Sequence, residues 1–193
     1  LNGVNGDGNR ITEFEKFARN TFSRELDDLQ LIVDACTNGT IGQGVIDTER
    51  IGLFGHSRGG GIAIVHSASD RRIQSLATLS SIATFDRWRE HQKTEWKKHG
   101  FHPLAKDSSV SPLRIGMELL NDLESNSDKL NIIQTASNIS VPWLILHGKA
   151  DVTVPCKEAE ALHQASNKTT TEYLLLEKVG HLFNAATKEE DEY

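Results

Sequence analysis

The chain has 193 residues, of which 37% are hydrophobic and 25% charged, values ordinary for a soluble globular protein with its own core. A formal net charge of -6 disfavours nucleic acid and anionic lipid as partners, because both favour a surplus of lysine and arginine. No apolar run approaches the roughly 20 residues of a membrane helix. We therefore expect neither a nucleic-acid nor a membrane partner.

The two cysteines, Cys36 and Cys156, are far apart, which makes a disulfide framework improbable and indicates a reducing, cytoplasmic compartment. The eight histidines include no HExxH pair and the cysteines no CxxC pair, so spacing predicts no metal site. The opening LNGVNGDGNR resembles neither a secretory signal nor an initiator segment. It is typical of a loop inside a fold, so we expect further residues upstream.

Periodicity and turn residues predict alternating helices and strands. An amphipathic helix is predicted over about Ser23–Cys36, followed by a strand at RIGLFG, a small-residue helix at RGGGIAIVHSAS and a strand at IQSLATLSS. Further on we predict a helix at SDKLNIIQTASN capped by Ser127 or Asp128, a strand at VPWLILHG, a helix beginning at Pro155, a strand at TEYLLLE and a final helix at HLFNAATKEEDEY.

This alternation implies βαβ crossovers and a mainly parallel sheet with helices on both faces, so we predict one α/β domain over residues 1–193. The charged stretch of residues 82–126 interrupts the alternation and is too long for a plain connection. We interpret residues 82–126 as a small cap insertion over one end of the sheet. Its aromatic residues could line an apolar pocket or form the cap's own core: Phe85, Trp88, Trp96 and Phe101.

Gly55-His56-Ser57-Arg58-Gly59 is a G-x-S-x-G pattern between a predicted strand and a predicted helix. Such a turn strains the serine backbone, and we expect side chains at either flanking glycine to collide with neighbouring backbone. The Ser57 hydroxyl is then exposed at the strand end, where the Arg58 N–H can stabilise an oxyanion. The alternative is a glycine-rich turn with a bystander serine. A phosphate loop is disfavoured because neither GxxxxGK[ST] nor GxGxxG occurs.

A serine nucleophile needs a base, and the base needs an orienting acid. Asp151 follows the third predicted strand and His181 follows the fourth. Because parallel strands end at one edge of a sheet, both residues and Ser57 can converge there. The chain order serine, aspartate, histidine also fits this type of sheet. We predict that Ser57 is the nucleophile, Asp151 the acid and His181 the base.

Each partner has an alternative. Asp151 could form an Asx-turn or cap the helix after Pro155, and Glu177 is a rival acid. His181 could be an ordinary loop histidine, and His147 is a rival base for which we favour a structural role. The other histidines are interpreted as packed against neighbouring loops, for His56, or as solvated, for His66, His91, His99, His102 and His163.

The segments GHSRGG, LILHGKADVTVP and VGHLF resemble, in this order, the nucleophile, acid and base segments of the α/β-hydrolase superfamily. Similar HGxxDxxVP and GxxH segments occur in its dienelactone-hydrolase-like, prolyl-oligopeptidase-like and cinnamoyl-esterase-like members. The resemblance extends from about Ser23 to the end of the chain. It implies the roles given above for Ser57, Asp151 and His181, the Arg58 amide as one oxyanion donor, and no cofactor.

The resemblance also implies more strands than the four predicted, so we expect the chain to be the C-terminal portion of a longer hydrolase. The RIGLFG strand would then lack a neighbour, and its open edge predicts that the isolated segment forms a homodimer or aggregates. A missing second oxyanion donor predicts that the isolated segment is nearly inactive.

The leading function is hydrolysis of carboxylic ester or related acyl bonds in a small-molecule substrate, through an acyl-enzyme, as in carboxylesterases (EC 3.1.1). A serine peptidase or thioesterase on the same triad is an alternative, because specificity depends on the pocket rather than on the triad. A non-catalytic binding protein that has kept the fold is a third hypothesis.

Overall fold

The structure is a computed structural model that describes residues 3, 11–104, 113–183 and 185. The chain divides into two compact units, one of Leu1–Leu29 and Asp86–Leu130, the other of Gln30–Phe85 and Asn131–Tyr193. Among the helices of the described ranges, none combines the length and apolar character needed to cross a membrane.

The described residues form short and medium helices that alternate with strands. The helices are α1 (Phe14–Ala18), α2 (Phe22–Thr37), α3 (Arg58–Ser69), α4 (Glu90–His99), α5 (Met117–Ser125), α6 (Ile132–Ala136) and α7 (Lys157–Ala165). The strands are β1 (Ile51–His56), β2 (Ile73–Leu79), β3 (Phe101–Pro103), β4 (Arg114–Gly116), β5 (Trp143–Gly148) and β6 (Thr171–Leu176).

The second unit contains a four-stranded sheet in the order β1-β2-β5-β6, with every neighbouring pair parallel. The four strands are those predicted from the sequence, and the mainly parallel α/β class is confirmed. The pairing aligns His56 with Leu79, Leu79 with Leu146, and Leu146 with Leu174. This register brings the carboxyl ends of all four strands to one edge of the sheet, where the predicted site residues follow.

Helix α3 packs against β1, β2 and α6 and is buried along most of its length. Its glycines permit this close approach, because a Cβ at Gly61 would come 2.7 Å from Ile132 Cδ1 and 3.1 Å from Ile82 Cγ1. Ile64 of the same helix has no exposed surface. The small residues of this helix therefore allow it to pack closely against its neighbours.

The helix predicted at SDKLNIIQTASN is much shorter than expected, and its predicted caps are wrong. Asn131 is the N-cap of α6, and its side-chain oxygen accepts a hydrogen bond of 3.0 Å from the Gln134 N–H. Neither Ser127 nor Asp128 caps it, because an asparagine directly before the apolar Ile132 satisfies the first helical N–H groups. The predicted C-terminal helix lies mostly outside the described residues. Of its predicted residues, 181–183 are described, and they form a turn.

The first unit contains α1, the start of α2, α4, α5 and the antiparallel pair β3-β4. Trp96 is 1% exposed there and lies edge-on to Trp88, with ring centroids 5.2 Å apart. The ring of His102 lies 5.3 Å from that of Trp96. Burial of this kind favours a core role for Trp96, and Phe85 in the other unit is also 1% exposed. The cap boundaries of 82–126 stay a prediction.

His66 was predicted to be solvated, and this is wrong: it is only 4% exposed on α3. The helix α3 is buried on nearly all sides, and His66 Nε2 lies 3.2 Å from Asp70 Oδ2. Arg72 binds the same carboxylate at 2.6 Å and also Asp34 of α2 at 2.8 Å. The Arg72 guanidinium lowers the pKa of Asp70 to about 2, and burial lowers the pKa of His66.

The lowered pKa of Asp70 predicts a pH-dependent stability. Its stabilising contribution is complete above the ordinary pKa of 3.8 and is lost as the pH falls toward 2. We expect this carboxylate to contribute about 2 kcal/mol to the loss of unfolding free energy over that range. Urea unfolding of Asp70→Asn between pH 2 and 5 should show a weaker pH dependence than the native protein. Glu49→Gln, at an exposed residue, is the control for the removal of a negative charge. The prediction would be contradicted if the unfolding free energies of D70N and of the native protein changed equally with pH.

Candidate active site

Ser57 stands at the sharp turn between β1 and α3, with φ of 55° and ψ of -122°. This left-handed backbone is strained for a residue with a side chain, as the sequence predicted. Three backbone hydrogen bonds hold it. The Ser57 N–H donates to the Leu79 carbonyl at 2.9 Å, and the Ser57 carbonyl accepts from the Gly60 N–H at 3.0 Å and from the Ile82 N–H at 3.3 Å. The turn is therefore attached to the end of β2 and to the first turn of α3.

The two glycines of the G-x-S-x-G pattern differ in their environment. A Cβ at Gly55 would lie 2.5 Å from the Gly59 carbonyl oxygen and 2.6 Å from Gly60 Cα, so the expected collision occurs there. At Gly59 the expectation is wrong, because this exposed residue of α3 has no described neighbour within 4 Å of a Cβ. The second constraint falls instead on Gly60, where a Cβ would approach Ser81 Cβ to 2.6 Å.

Arg58 is the first residue of the 12-residue helix α3, and its backbone N–H lies directly beside the Ser57 turn. The N–H groups of a first helical turn have no intrahelical acceptor, and the helix dipole makes this end partially positive. The position fits the predicted role of the Arg58 amide as an oxyanion donor, which stays a prediction. The Arg58 side chain is exposed.

The structure brings Asp151 and His181 together. Asp151 lies three residues beyond β5 and His181 five residues beyond β6, and the distance from Asp151 Oδ2 to His181 Nδ1 is 2.8 Å. The other oxygen, Oδ1, accepts hydrogen bonds from the Thr153 N–H at 2.9 Å and the Val154 N–H at 2.8 Å. Asp151 thus makes the Asx-turn considered as its alternative role and also contacts the predicted base.

The hydrogen bonds of Asp151 determine its charge. Burial raises the pKa of this carboxyl, but hydrogen bonds from the Val154 N–H and the His181 ring outweigh burial and lower it to about 2. Asp151 is therefore ionised at neutral pH and can only accept a hydrogen bond, so Nδ1 of neutral His181 carries the proton. This tautomer leaves the Nε2 lone pair of His181 available to accept a proton.

The two rivals considered for the acid and the base have other partners. Glu177 is exposed and forms an ion pair with Lys149. His147 is fully buried, and its Nε2–H donates to the Val154 carbonyl at 2.8 Å, as expected for a structural role. The same Nε2 lies 3.4 Å from Asp151 Oδ2. His147 therefore braces the loop that carries the acid.

Residues 177–183, which we call the base loop, approach β5 very closely. A Cβ at Gly148 would collide with the carbonyl oxygen of Val179. At the same point the Ala150 N–H donates to the Val179 carbonyl at 3.0 Å. This role of Gly148 was not predicted from the sequence. The signal for it is a glycine at the end of a buried strand that precedes the predicted acid.

The turn at Ser57, which we call the elbow, meets the base loop through His56. Its ring centroid lies 4.7 Å from that of His181, and its Nε2 lies 2.8 Å from the His181 carbonyl oxygen. The sequence placed His56 against neighbouring loops without identifying this contact. Between Ser57 Oγ and His181 Nε2, both among the described residues, the structure records no hydrogen bond. In the described parts of the chain, no group of three or more His, Cys, Asp or Glu side chains is placed to hold a metal ion.

The contact at Gly148 predicts that Gly148→Ala displaces the base loop. Because the added methyl group meets backbone rather than a movable side chain, we expect a loss of about 1–3 kcal/mol in unfolding free energy, measured by urea titration. The matched control is Gly180→Ala, where a Cβ has no described neighbour within 4 Å and the change should stay below about 0.5 kcal/mol. Equal losses in the two variants would show that the loop is not held at Gly148.

Comparison with solved structures shows the same fold in several hydrolases. The esterase domain of a Rhodothermus marinus protein has a TM-score of 0.55 and 19% identity, over 90% of this chain and 65% of that one. A Paleococcus ferrophilus monoacylglycerol lipase has a TM-score of 0.60 and 18% identity, over 85% and 68%. A Mycobacterium tuberculosis puromycin-hydrolyzing peptidase has a TM-score of 0.62 and 19% identity, over 91% and 24%. The chain thus spans about two thirds of the esterase domain and a quarter of the peptidase.

No curated protein matches the chain. The sequence model of the prolyl oligopeptidase family matches residues 3–193, which is nearly the whole chain. Together with the parallel sheet and its structural neighbours, this match confirms the resemblance to the α/β-hydrolase superfamily. The chain belongs to the prolyl oligopeptidase family.

Proposed function

We propose that this protein is a serine hydrolase that cleaves carboxylic esters or related acyl bonds through an acyl-enzyme. The observation that carries the proposal is the 2.8 Å hydrogen bond between Asp151 and His181 at the edge of the sheet where Ser57 occupies a strained turn. Membership of a hydrolase family and the fold shared with an esterase domain and a lipase support it.

In the proposed reaction, His181 Nε2 removes the proton of Ser57 Oγ as the oxygen attacks the carbonyl carbon of the substrate. The Arg58 N–H stabilises the negative oxygen of the tetrahedral intermediate. The intermediate collapses, the alcohol leaves with the proton from His181, and the acyl group stays on Ser57. A water molecule, deprotonated by His181, then attacks this ester and releases the acid.

Asp151 would contribute by electrostatics and orientation. Its carboxylate is ionised, has no exposed side-chain surface and contacts Nδ1 of His181 directly. The imidazolium formed when His181 takes the proton is therefore stabilised by a negative charge with little screening by water. The structure has no hydrogen bond between Ser57 Oγ and His181 Nε2. This is compatible with the proposed mechanism, since catalytic hydrogen bonds often shorten only when substrate binds.

A serine peptidase is the second candidate, and the family match together with a puromycin-hydrolyzing structural neighbour favours it. The acid, base and nucleophile would be the same residues. The difference lies in the leaving group, since an amine must be protonated as it departs and an alcohol is expelled more easily. In a thioesterase the leaving group would be a thiol.

A cytoplasmic location is part of the proposal and is supported by the two free cysteines.

The identity of the nucleophile predicts where an organophosphonate probe attaches. In the full-length protein, Ser57→Ala should abolish labelling, because alanine has no hydroxyl group that could attack the probe. Labelling is measured by intact-protein mass spectrometry. The matched control Ser69→Ala, at the exposed end of the same helix, should retain full labelling. Persistent labelling of S57A would reject Ser57 as the nucleophile.

The preferred substrate class can be measured with matched pairs of p-nitrophenyl esters and p-nitroanilides that share one acyl group. We expect kcat/KM for the best ester to exceed that of its anilide more than about a hundredfold, or about 2.7 kcal/mol in activation free energy. Esters of different chain length would then report the size of the acyl pocket. A peptidyl anilide hydrolysed within tenfold of its ester would favour the peptidase instead.

A further inference from the structure

We infer that His56 is a positioning residue for His181: it holds the backbone of the base loop so that the His181 ring faces the elbow serine. The inference rests on the proposed function of Ser57, Asp151 and His181. It adds a residue that the G-x-S-x-G pattern does not specify, since the position before the serine can be any residue in that pattern.

The direction of the His56 contact follows from its chemistry. Nε2 of His56 lies 2.8 Å from the His181 carbonyl oxygen, which can only accept a hydrogen bond. Nε2 of His56 must therefore carry the proton and act as the donor. The two rings also lie against each other, with centroids 4.7 Å apart and planes inclined by 45°. His56 thus contacts both the backbone and the side chain of the predicted base.

The place of His56 in the chain gives this contact its effect. His56 is the last residue of β1 and pairs with Leu79 in the sheet, and the next residue is Ser57. The hydrogen bond therefore joins the loop of the base to the strand that carries the nucleophile. Asp151 holds Nδ1 of His181 from the loop after β5, so the predicted base is held from the last residue of β1 and from the loop after β5.

The backbone of the base loop needs such restraint. Lys178 and Phe183 both have positive φ, at 54° and 56°, a conformation that costs free energy for residues with a Cβ. Strained residues persist only where surrounding contacts determine the backbone. The Ala150 N–H holds the loop at the Val179 carbonyl, and His56 holds it at the His181 carbonyl itself.

Loss of the His56 donor should act on the chemical step rather than on substrate binding. Without it, Asp151 still binds Nδ1 of His181, but the backbone from which the ring extends is less restrained. A misplacement of about 1 Å between reacting groups can reduce a rate about a hundredfold. We therefore expect a lower kcat, a KM close to that of the native protein, and greater mobility of the base loop.

Three substitutions separate the donor from the ring. In His56→Gln the side-chain amide N–H can reach the position of Nε2, so the donor is kept and the ring is lost. In His56→Phe the ring is kept and the donor is lost. In His56→Asn the amide is too short to reach the carbonyl, which gives a second donor-deficient variant if H56F does not fold. His91→Phe, at an exposed histidine of the other unit, is the matched control.

The experiment measures kcat and KM of the full-length variants on the best p-nitrophenyl ester, with urea unfolding to confirm that each variant folds. H56F and H56N should lower kcat about tenfold to a hundredfold at a KM within about twofold of native. H56Q should keep kcat within about threefold, and H91F should match the native protein. A native kcat in H56F or H56N, or equal losses in H56Q and H56F, would overturn the inference.

Hydrogen exchange provides a readout that does not depend on turnover. Mass spectrometry of a peptide covering residues 177–183 should show faster exchange in H56F and H56N than in H56Q or the native protein. Unchanged exchange would overturn the inference whatever the activity. Failure of the proposed function is recognised separately, since Ser57→Ala would then retain full turnover. If S57A is inactive while H56F is normal in both measurements, only the role of His56 is wrong.

Discussion

The hydrogen bond between Asp151 Oδ2 and His181 Nδ1 joins two loops that are 30 residues apart in the chain. It forms because β5 and β6 are parallel neighbours whose carboxyl ends are level, so residues shortly beyond each strand meet. Together with the Val154 N–H, the bond keeps the Asp151 carboxylate ionised despite burial, and it directs the free lone pair of His181 to Nε2. In the proposed mechanism, this pair supplies the base for the strained serine that follows β1.

The remaining features of the site restrict the movement of these groups. Backbone approaches too close for a side chain hold the elbow at Gly55 and the base loop at Gly148. His147 donates a hydrogen bond to the Val154 carbonyl in the loop that carries Asp151, and His56 donates one to the His181 carbonyl in the base loop. The loops that carry the predicted site residues are thus held through contacts to their backbones.

The sequence predicted the parts of the site that depend on local patterns. The four strands of the parallel sheet follow from short apolar runs between turn residues, and the placement of Asp151 beside His181 follows from strand ends. Contacts that depend on tertiary packing could not be predicted in this way. The His56 contact joins residues 125 apart in the chain. His66 is buried because every residue of α3 from Gly60 to Ser67 is buried, which helical periodicity does not reveal.

We propose that Ser57, His181 and Asp151 act as one catalytic unit. The most direct measurement is a crystal structure of the full-length protein after reaction with an organophosphonate. We predict a covalent bond from Ser57 Oγ to phosphorus, His181 Nε2 within about 3 Å of an oxygen of the adduct, and an intact contact between His181 and Asp151. An adduct on another residue, or a His181 ring out of hydrogen-bonding reach of the adduct on Ser57, would contradict the account.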